Sequence, residues 1–182
     1  MNILIAGIYR SGSTWLYNAV RFLTEEAGHS TQGTFALWER SDDYEYHVIK
    51  THYPYSYERL RMKPDIIITS VRNREGIINS MKAQRKKGLD PRFKNAGQYE
   101  QIDMYFEWLD YWRKEEGHIY EMDFEDLENK RIMKILYELD SVLGLDLDAF
   151  QLSNVELRLA EMKAPLNGFD HETLLTPTHP NK

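Results

Sequence analysis

A lysine and a histidine two residues apart form the pair in this sequence best suited to acid–base chemistry. Lys50 and His52 end a short apolar stretch, and Pro54 disfavours helix at the residue before it. On an extended strand, side chains two positions apart point to the same side. A lysine stabilises negative charge while a neighbouring histidine takes a proton, so the pair predicts a catalytic site.

A second candidate site follows the first apolar run, residues 3–6, where glycines and small hydroxyl residues precede an amphipathic stretch. Gly7, Gly12 and Thr14 match three positions of the pattern G-x-x-x-x-G-K-[ST]. A strand, a tight loop and a helix N-terminus in this order bind phosphate through backbone N–H groups and the helix dipole. The lysine position of the pattern holds Ser13, so the sequence predicts a phosphate loop without its usual lysine.

Two arginines supply positive charge near the predicted strand ends. Arg10 stands three residues before Ser13, inside the loop. Arg72 directly follows the β-branched run 66–71 and precedes Ser80 by eight residues. An arginine at a strand end can hold a phosphate bidentately, and a serine two turns into the next helix can donate a second hydrogen bond.

Alternating strands and helices must position these residues. Apolar spacing predicts strands at 2–7, 47–50, 66–71 and 118–122, and helices at 14–27, 74–85, 98–116 and 128–143. A capping-box signal at Ser153 and Glu156 predicts a last helix to about residue 163, and residues 29–45 are predicted to form a long loop. We therefore expect an α/β fold with a parallel sheet covered on both faces and ligands at the carboxyl ends of its strands.

Length and composition indicate one globular domain and exclude several classes of function. The chain has 182 residues, of which 42% are hydrophobic, so we expect a single domain over 1–182 with an irregular tail from about 164. The net charge of −6 argues against a general nucleic-acid or membrane-surface binder. The sequence has no cysteine, no apolar run that approaches about 18 residues, and no basic stretch before its first apolar run. We therefore expect a cytoplasmic protein with no membrane span.

Three segments together resemble the sulfotransferases that use 3′-phosphoadenosine 5′-phosphosulfate (PAPS). Residues 10–15 (Arg-Ser-Gly-Ser-Thr-Trp) resemble the 5′-phosphosulfate loop of that family, residues 50–54 its catalytic Lys-Thr-His segment, and residues 72–80 its 3′-phosphate motif. Phe-Glu-Asp-Leu at 124–127 and Val-Leu-Gly-Leu at 142–145 resemble segments that often follow. Each motif alone is weak evidence, but three in the right order at strand ends are strong evidence.

The resemblance spans roughly residues 2–145 and implies a three-layer α/β fold like that of P-loop NTPases, with a central, mostly parallel sheet flanked by helices. It implies PAPS as donor, adenosine 3′,5′-bisphosphate as product, and no metal. The catalytic residues that it implies are His52, Lys50 and Arg10. The cofactor-binding residues that it implies are Arg10, Ser11, Gly12, Ser13, Thr14, Trp15, Arg72, Ser80 and Phe124.

The resemblance also implies a role for each residue. His52 would be the general base on a hydroxyl, or as second choice an amine, of a small-molecule or glycan acceptor. Lys50 and Arg10 would stabilise the transferring sulfonate, and residues 11–14 would hold the 5′-phosphate. Residues at the adenine and the 3′-phosphate would be Trp15, Phe124, Arg72 and Ser80.

The sequence departs from the family pattern at several places. Phe124 stands where many members have a tyrosine, and Arg74 replaces a proline after the 3′-phosphate arginine. An Arg-Lys-Gly segment, which often completes the 3′-phosphate site, is missing near the C-terminus, where Lys163 and Lys182 are weak substitutes. We expect His179 in the tail to face solvent, with a position over the site as the alternative.

Two alternative functions stay open. A small-molecule kinase on the same fold predicts a lysine at position 13 and a Mg²⁺-binding aspartate at a strand end. The sequence has Ser13 and Arg72 at those places. A non-catalytic nucleotide-binding protein would keep the loop without needing the pair Lys50 and His52.

Overall fold

The computed structural model describes residues 1–36, 41–52, 54, 63–86, 98–177 and 179, with the backbone alone for 85, 86 and 98–101. Its five strands are β1 (Asn2–Ala6), β2 (Thr31–Phe35), β3 (Tyr46–Thr51), β4 (Ile66–Val71) and β5 (His118–Asp123). The helices within these residues are α1 (Ser13–Glu26), α2 (Arg74–Lys86), α3 (Gln98–Lys114), α4 (Phe124–Glu128), α5 (Ile132–Leu143) and α6 (Ala149–Glu161).

The five strands form one parallel sheet in the order β2-β3-β1-β4-β5. In this sheet β1 lies between β3 and β4, with Ala6 opposite Thr51 and Ile3 opposite Ile66. The carboxyl ends of these three strands therefore meet at one edge. The prediction of an α/β fold with a parallel central sheet is confirmed.

Helices cover both faces of the sheet, which explains why β1 is apolar from Ile3 to Ala6. Ile3 and Ile5 pack into a core with α1, α5 and α6, whereas Leu4 and Ala6 face the opposite side, where Trp112 of α3 is buried. A third cluster joins α2 and α3 to the segment that follows β1. The site at the strand ends is thus supported from both layers.

The prediction of a long loop over residues 29–45 is wrong in part, because β2 lies inside it. This edge strand has no apolar run and contains Gly33, so its sequence gives no strand signal. The glycine is needed for packing, since a Cβ at that position would lie 2.1 Å from the Tyr17 hydroxyl of α1.

The prediction of one helix over residues 128–143 is also wrong in part. Asp123 caps the separate helix α4, where its carboxylate accepts a hydrogen bond from the Glu125 N–H over 2.9 Å. The chain then turns at Lys130, whose φ of 56° is in the left-handed region, and α5 begins at Ile132. A left-handed residue cannot continue an α-helix, so the two elements are separate.

The last helix begins earlier than the signal at Ser153 predicts. Asp148 is its N-cap and forms a reciprocal capping box with Gln151, with hydrogen bonds of 2.8 and 3.0 Å. Ser153 lies inside the helix and donates to the Ala149 carbonyl. After Glu161 the described residues contain neither helix nor strand. None of the described helices combines the length and apolarity needed to cross a membrane.

Candidate functional site

The glycine loop, residues 7–12, connects β1 to α1 and can be built only with glycine at both ends. A Cβ at Gly7 would lie 2.1 Å from Ser70 Oγ and 2.6 Å from Ser13 Cβ. Gly12 has φ 83° at the N-cap of α1, and a Cβ there would lie 2.9 Å from the Phe124 ring. No side chain caps this helix end in the described part of the chain, so its first N–H groups are suited to an anion.

Ser11 fixes the shape of the glycine loop from inside. It is fully buried, and its hydroxyl donates to the Ile8 carbonyl over 2.6 Å. Because that bond uses the only Ser11 hydroxyl hydrogen, Ser70 donates in the 2.6 Å contact between the two Oγ atoms. Sequence reasoning missed Ser70, although a hydroxyl residue late in a β-branched run was a usable signal.

The pair Lys50 and His52 lies buried beside the glycine loop, with 6% and 8% exposure. His52 Nδ1 is 2.6 Å from the Gly7 carbonyl oxygen, and Nε2 is 3.4 Å from Lys50 Nζ. A carbonyl only accepts and an ammonium only donates, so Nδ1 carries the proton and Nε2 carries the lone pair. This tautomer leaves Nε2 as a base on the side of Lys50.

Tyr9 of the glycine loop holds the His52 ring from its face. The two rings stack at 4.0 Å between centroids with 25° between planes, and Tyr9 in turn lies 4.9 Å from the Tyr105 ring. Sequence reasoning missed Tyr9, because a single aromatic residue in a loop carries no periodic signal. The orientation of the His52 ring is therefore fixed both by the hydrogen bond from Nδ1 to Gly7 and by stacking on Tyr9.

Arg10 joins the glycine loop to the segment that follows β4. Its Nε donates to Ser80 Oγ of α2 over 2.9 Å, and its carbonyl accepts from Arg72 Nη1 over 3.3 Å. Arg10 has φ 66°, an uncommon conformation for a residue other than glycine. The structure therefore brings together Arg10, Arg72 and Ser80, which the sequence separates by up to 70 residues.

Arg72 lies over an aromatic ring and contacts a carboxylate. Its guanidinium carbon is 4.0 Å above the Phe124 ring, and Nη2 is 2.5 Å from Glu128 Oε1. Burial lowers the pKa of the Arg72 guanidinium, and the Glu128 carboxylate opposes this shift. Arg72 Nε is a buried donor without a hydrogen-bond partner among the described residues. Sequence reasoning missed Glu128.

The first turn of α1 contributes Ser13, Thr14 and Trp15. Ser13 and Thr14 are buried, and Trp15 is half-buried against the main core. Thr14 Oγ1 is 3.1 Å from His179 Nε2, so the expectation that His179 faces solvent is wrong. The tail folds back onto α1, which local sequence spacing does not indicate.

Comparison of the chain with protein-family models and with curated proteins finds no match. Among the described residues, no group of three or more histidine, aspartate and glutamate side chains is arranged to hold a metal ion. The chemistry of the site is therefore inferred from its own residues. These provide a neutral histidine, an adjacent lysine and two arginines around a glycine-bounded helix N-terminus.

Proposed function

We propose that this protein is a PAPS-dependent sulfotransferase that transfers a sulfonate to a hydroxyl group of a small-molecule or glycan acceptor. The observation that carries the proposal is that the glycine loop contacts both other motifs. Its Gly7 carbonyl binds His52 Nδ1, and its Arg10 side chain binds Ser80. One loop thus connects a base to the residues suited to a second phosphate. The absence of cysteine accords with a reducing, cytoplasmic location.

The residues fit a donor with anionic groups at two positions. Glycine at positions 7 and 12 lets the loop pack closely against Ser70, Ser13 and the Phe124 ring, and the N-terminus of α1 that follows has no side-chain cap among the described residues. Arg72 offers a buried Nε donor that lacks a partner among the described residues. In the proposed complex residues 11–14 hold the 5′-phosphate, mainly through backbone N–H groups because the Ser11 hydroxyl is already used. Arg72 and Ser80 hold the 3′-phosphate, and Trp15 and Phe124 lie near the adenine.

His52 and Lys50 would carry the transfer itself. The donor supplies an activated sulfonate whose bond to the bridging oxygen breaks as the acceptor oxygen bonds to sulfur. His52 accepts the proton of the acceptor hydroxyl at Nε2, the atom that the hydrogen bond from Nδ1 to Gly7 leaves unprotonated. Lys50 and Arg10 stabilise the negative charge on the transferring and leaving groups. Lys50 must turn from Nε2 to the sulfonate when the acceptor hydroxyl arrives.

Ligand specificity distinguishes this proposal from a kinase. In thermal-shift measurements, we expect adenosine 3′,5′-bisphosphate to stabilise the protein by about 2.7 kcal/mol at a hundred times its Kd, without Mg²⁺. ATP with Mg²⁺ at the same concentration should stabilise it less. A preference for ATP with Mg²⁺ would contradict the proposal and favour the kinase alternative.

Substitution of the base tests the catalytic role. We expect His52→Ala to abolish sulfonate transfer from labelled PAPS while the Kd for adenosine 3′,5′-bisphosphate stays within about twofold. The control is His47→Ala on β3, the strand that ends one residue before His52; His47 Nδ1 contacts Gln32 at 3.2 Å instead of the glycine loop. If the His52 variant still transferred sulfonate, His52 would not be the general base. Bisphosphate binding without transfer to any acceptor by the unmodified protein would favour a non-catalytic binding protein.

A further inference from the structure

Residues 170–177 with His179, the C-terminal strap, lie along α1 from Thr14 to Arg21. Asn18 Nδ2 donates both to the Thr14 carbonyl over 2.8 Å and to the Thr173 carbonyl over 2.7 Å. The buried Arg21 donates from Nη2 to the Glu172 carboxylate over 2.7 Å. One polar stripe on α1, spaced by four and three residues, therefore holds the strap against the helix turn that begins at the glycine loop.

The strap also has an apolar anchor and its own turn. Leu174 is 2% exposed and belongs to the main core. The Asp170 carboxylate accepts from the N–H groups of Glu172 and Thr173, and the Asp170 N–H donates to the Leu175 carbonyl over 2.9 Å. These contacts fix the path of the chain as it approaches the candidate phosphate site.

The hydrogen bonds of His179 define its tautomer. The Thr176 backbone N–H donates to His179 Nδ1 over 2.9 Å, so Nδ1 is an acceptor and Nε2 carries the proton. The Thr176 carbonyl oxygen lies 3.3 Å from the same Nδ1. Because both atoms are then acceptors, this contact is not a hydrogen bond. His179 Nε2 therefore donates to Thr14 Oγ1 over 3.1 Å.

This bond determines what the Thr14 hydroxyl can do. Because Thr14 Oγ1 accepts from His179, its own hydrogen is directed away from the imidazole. Thr14 lies in the first turn of α1, two residues after Gly12, where an anion would meet the uncapped N–H groups. His179 thus orients a hydroxyl donor at the end of the helix that is suited to phosphate.

We propose that His179 is a positioning residue of the donor-phosphate site, which orients the Thr14 hydroxyl toward the phosphate through the C-terminal strap. This inference rests on the proposed function, because it assumes that the glycine loop binds the 5′-phosphate of the donor. It assigns the tail a part in donor binding through Thr14.

Calorimetric titration with adenosine 3′,5′-bisphosphate and, separately, with inorganic pyrophosphate tests the proposal. We expect His179→Phe to raise both Kd values about three- to tenfold, the range expected for one hydrogen bond. His179→Gln, which keeps an N–H donor, should stay within about twofold of the unmodified protein. His29→Phe is the matched control, because His29 lies beyond the opposite end of α1 and contacts Glu45. In steady-state assays His179→Phe should raise the KM for PAPS and leave kcat unchanged.

A double substitution separates positioning from a structural role. In a Thr14→Val background, His179→Phe should change Kd by less than about twofold, because the hydroxyl that it orients is gone. The proposal would be overturned if the two substitutions had fully additive effects on the free energy of binding. It would also be overturned if His179→Phe alone left the Kd unchanged or lowered it. If the unmodified protein binds pyrophosphate but not the bisphosphate, the proposed function fails and the pyrophosphate titration still decides the role of His179. Binding of neither ligand overturns both.

Discussion

At Gly7, the neighbouring side chains lie so close to the backbone that no residue with a Cβ fits. Ser70 and Ser13 lie within 2.6 Å of where a Cβ would be. The Gly7 carbonyl is also the acceptor for His52 Nδ1. A displacement of this residue would therefore disturb the glycine loop and the candidate base at the same time.

We expect Gly7→Ala to lower the free energy of unfolding by about 1–3 kcal/mol, the usual cost of overpacking a core. It should also abolish binding of adenosine 3′,5′-bisphosphate, because the loop must shift. Urea denaturation and calorimetry measure the two effects. Gly28→Ala is the control for ligand binding, since nothing lies within 4 Å of the Gly28 Cβ position. Its positive φ of 86°, which Gly7 does not share, adds a backbone cost to the stability of that variant alone. If Gly7→Ala bound the bisphosphate normally, the glycine loop would not be the phosphate site.

Residue types and spacing located much of the candidate site before the structure did. The alternation of a strand predicted that Lys50 and His52 share a side, and the glycine spacing predicted a loop at a helix N-terminus. The partners that hold these residues were not predictable. Tyr9 and Glu128 act through contacts across the fold, and nothing in their local sequence distinguishes them from loop or surface residues.

At the scale of elements, α6 illustrates how a local signal can point to the wrong residue. Both Asp148-x-x-Gln151 and Ser153-x-x-Glu156 have the spacing of a capping box, and the structure uses the first. The helix starts at the earlier signal because its buried positions begin with Leu152, one turn after Asp148.

We expect Asp148→Ala to lower the free energy of unfolding by about 1 kcal/mol, because it leaves N–H groups of the first turn of α6 without a side-chain partner. Ser153→Ala should change stability by less than about 0.5 kcal/mol, since the Ser153 hydroxyl only bonds back to the Ala149 carbonyl. Chemical denaturation of both variants measures the difference. An equal loss in the two variants would contradict the assignment of Asp148 as the cap.

Sequence patterns failed to predict β2 and the turn at Lys130 because neither has a local signal in its residue types. Strand β2 is recognisable only through its neighbours, because Gly33 fits against Tyr17 and replaces the usual apolar alternation. The turn at Lys130 separates two helices without a glycine or a proline. In contrast, β1 and β4 are buried on both faces, and such strands carry the strongest sequence signal.

At the scale of the whole molecule, the C-terminal strap links the end of the described chain to its first helix. Composition predicted only an irregular tail, and the structure finds no regular element there. Its order depends on long-range contacts such as those of Asn18 and Arg21, which local spacing cannot predict. This is why the position of His179 was the part of the site least accessible from sequence.

We expect Leu174→Ala to lower the free energy of unfolding by about 2–5 kcal/mol, because it leaves a cavity in the main core. It should also weaken binding of adenosine 3′,5′-bisphosphate, since the strap loses its apolar anchor. Leu166→Ala is the matched control in the same tail, because Leu166 is 93% exposed and should contribute less than about 0.5 kcal/mol. If the destabilised Leu174 variant bound the bisphosphate with normal affinity, the C-terminal strap would have no role in donor binding.

The contact between Thr14 and His179 joins residues 165 positions apart, and this has a consequence for synthesis of the protein. At about 5–20 residues per second, a ribosome makes the two partners roughly 8 to 33 seconds apart. A nascent chain displays the glycine loop long before the strap exists. A chain interrupted before residue 170 would therefore carry each motif described above and still lack the contact that orients Thr14.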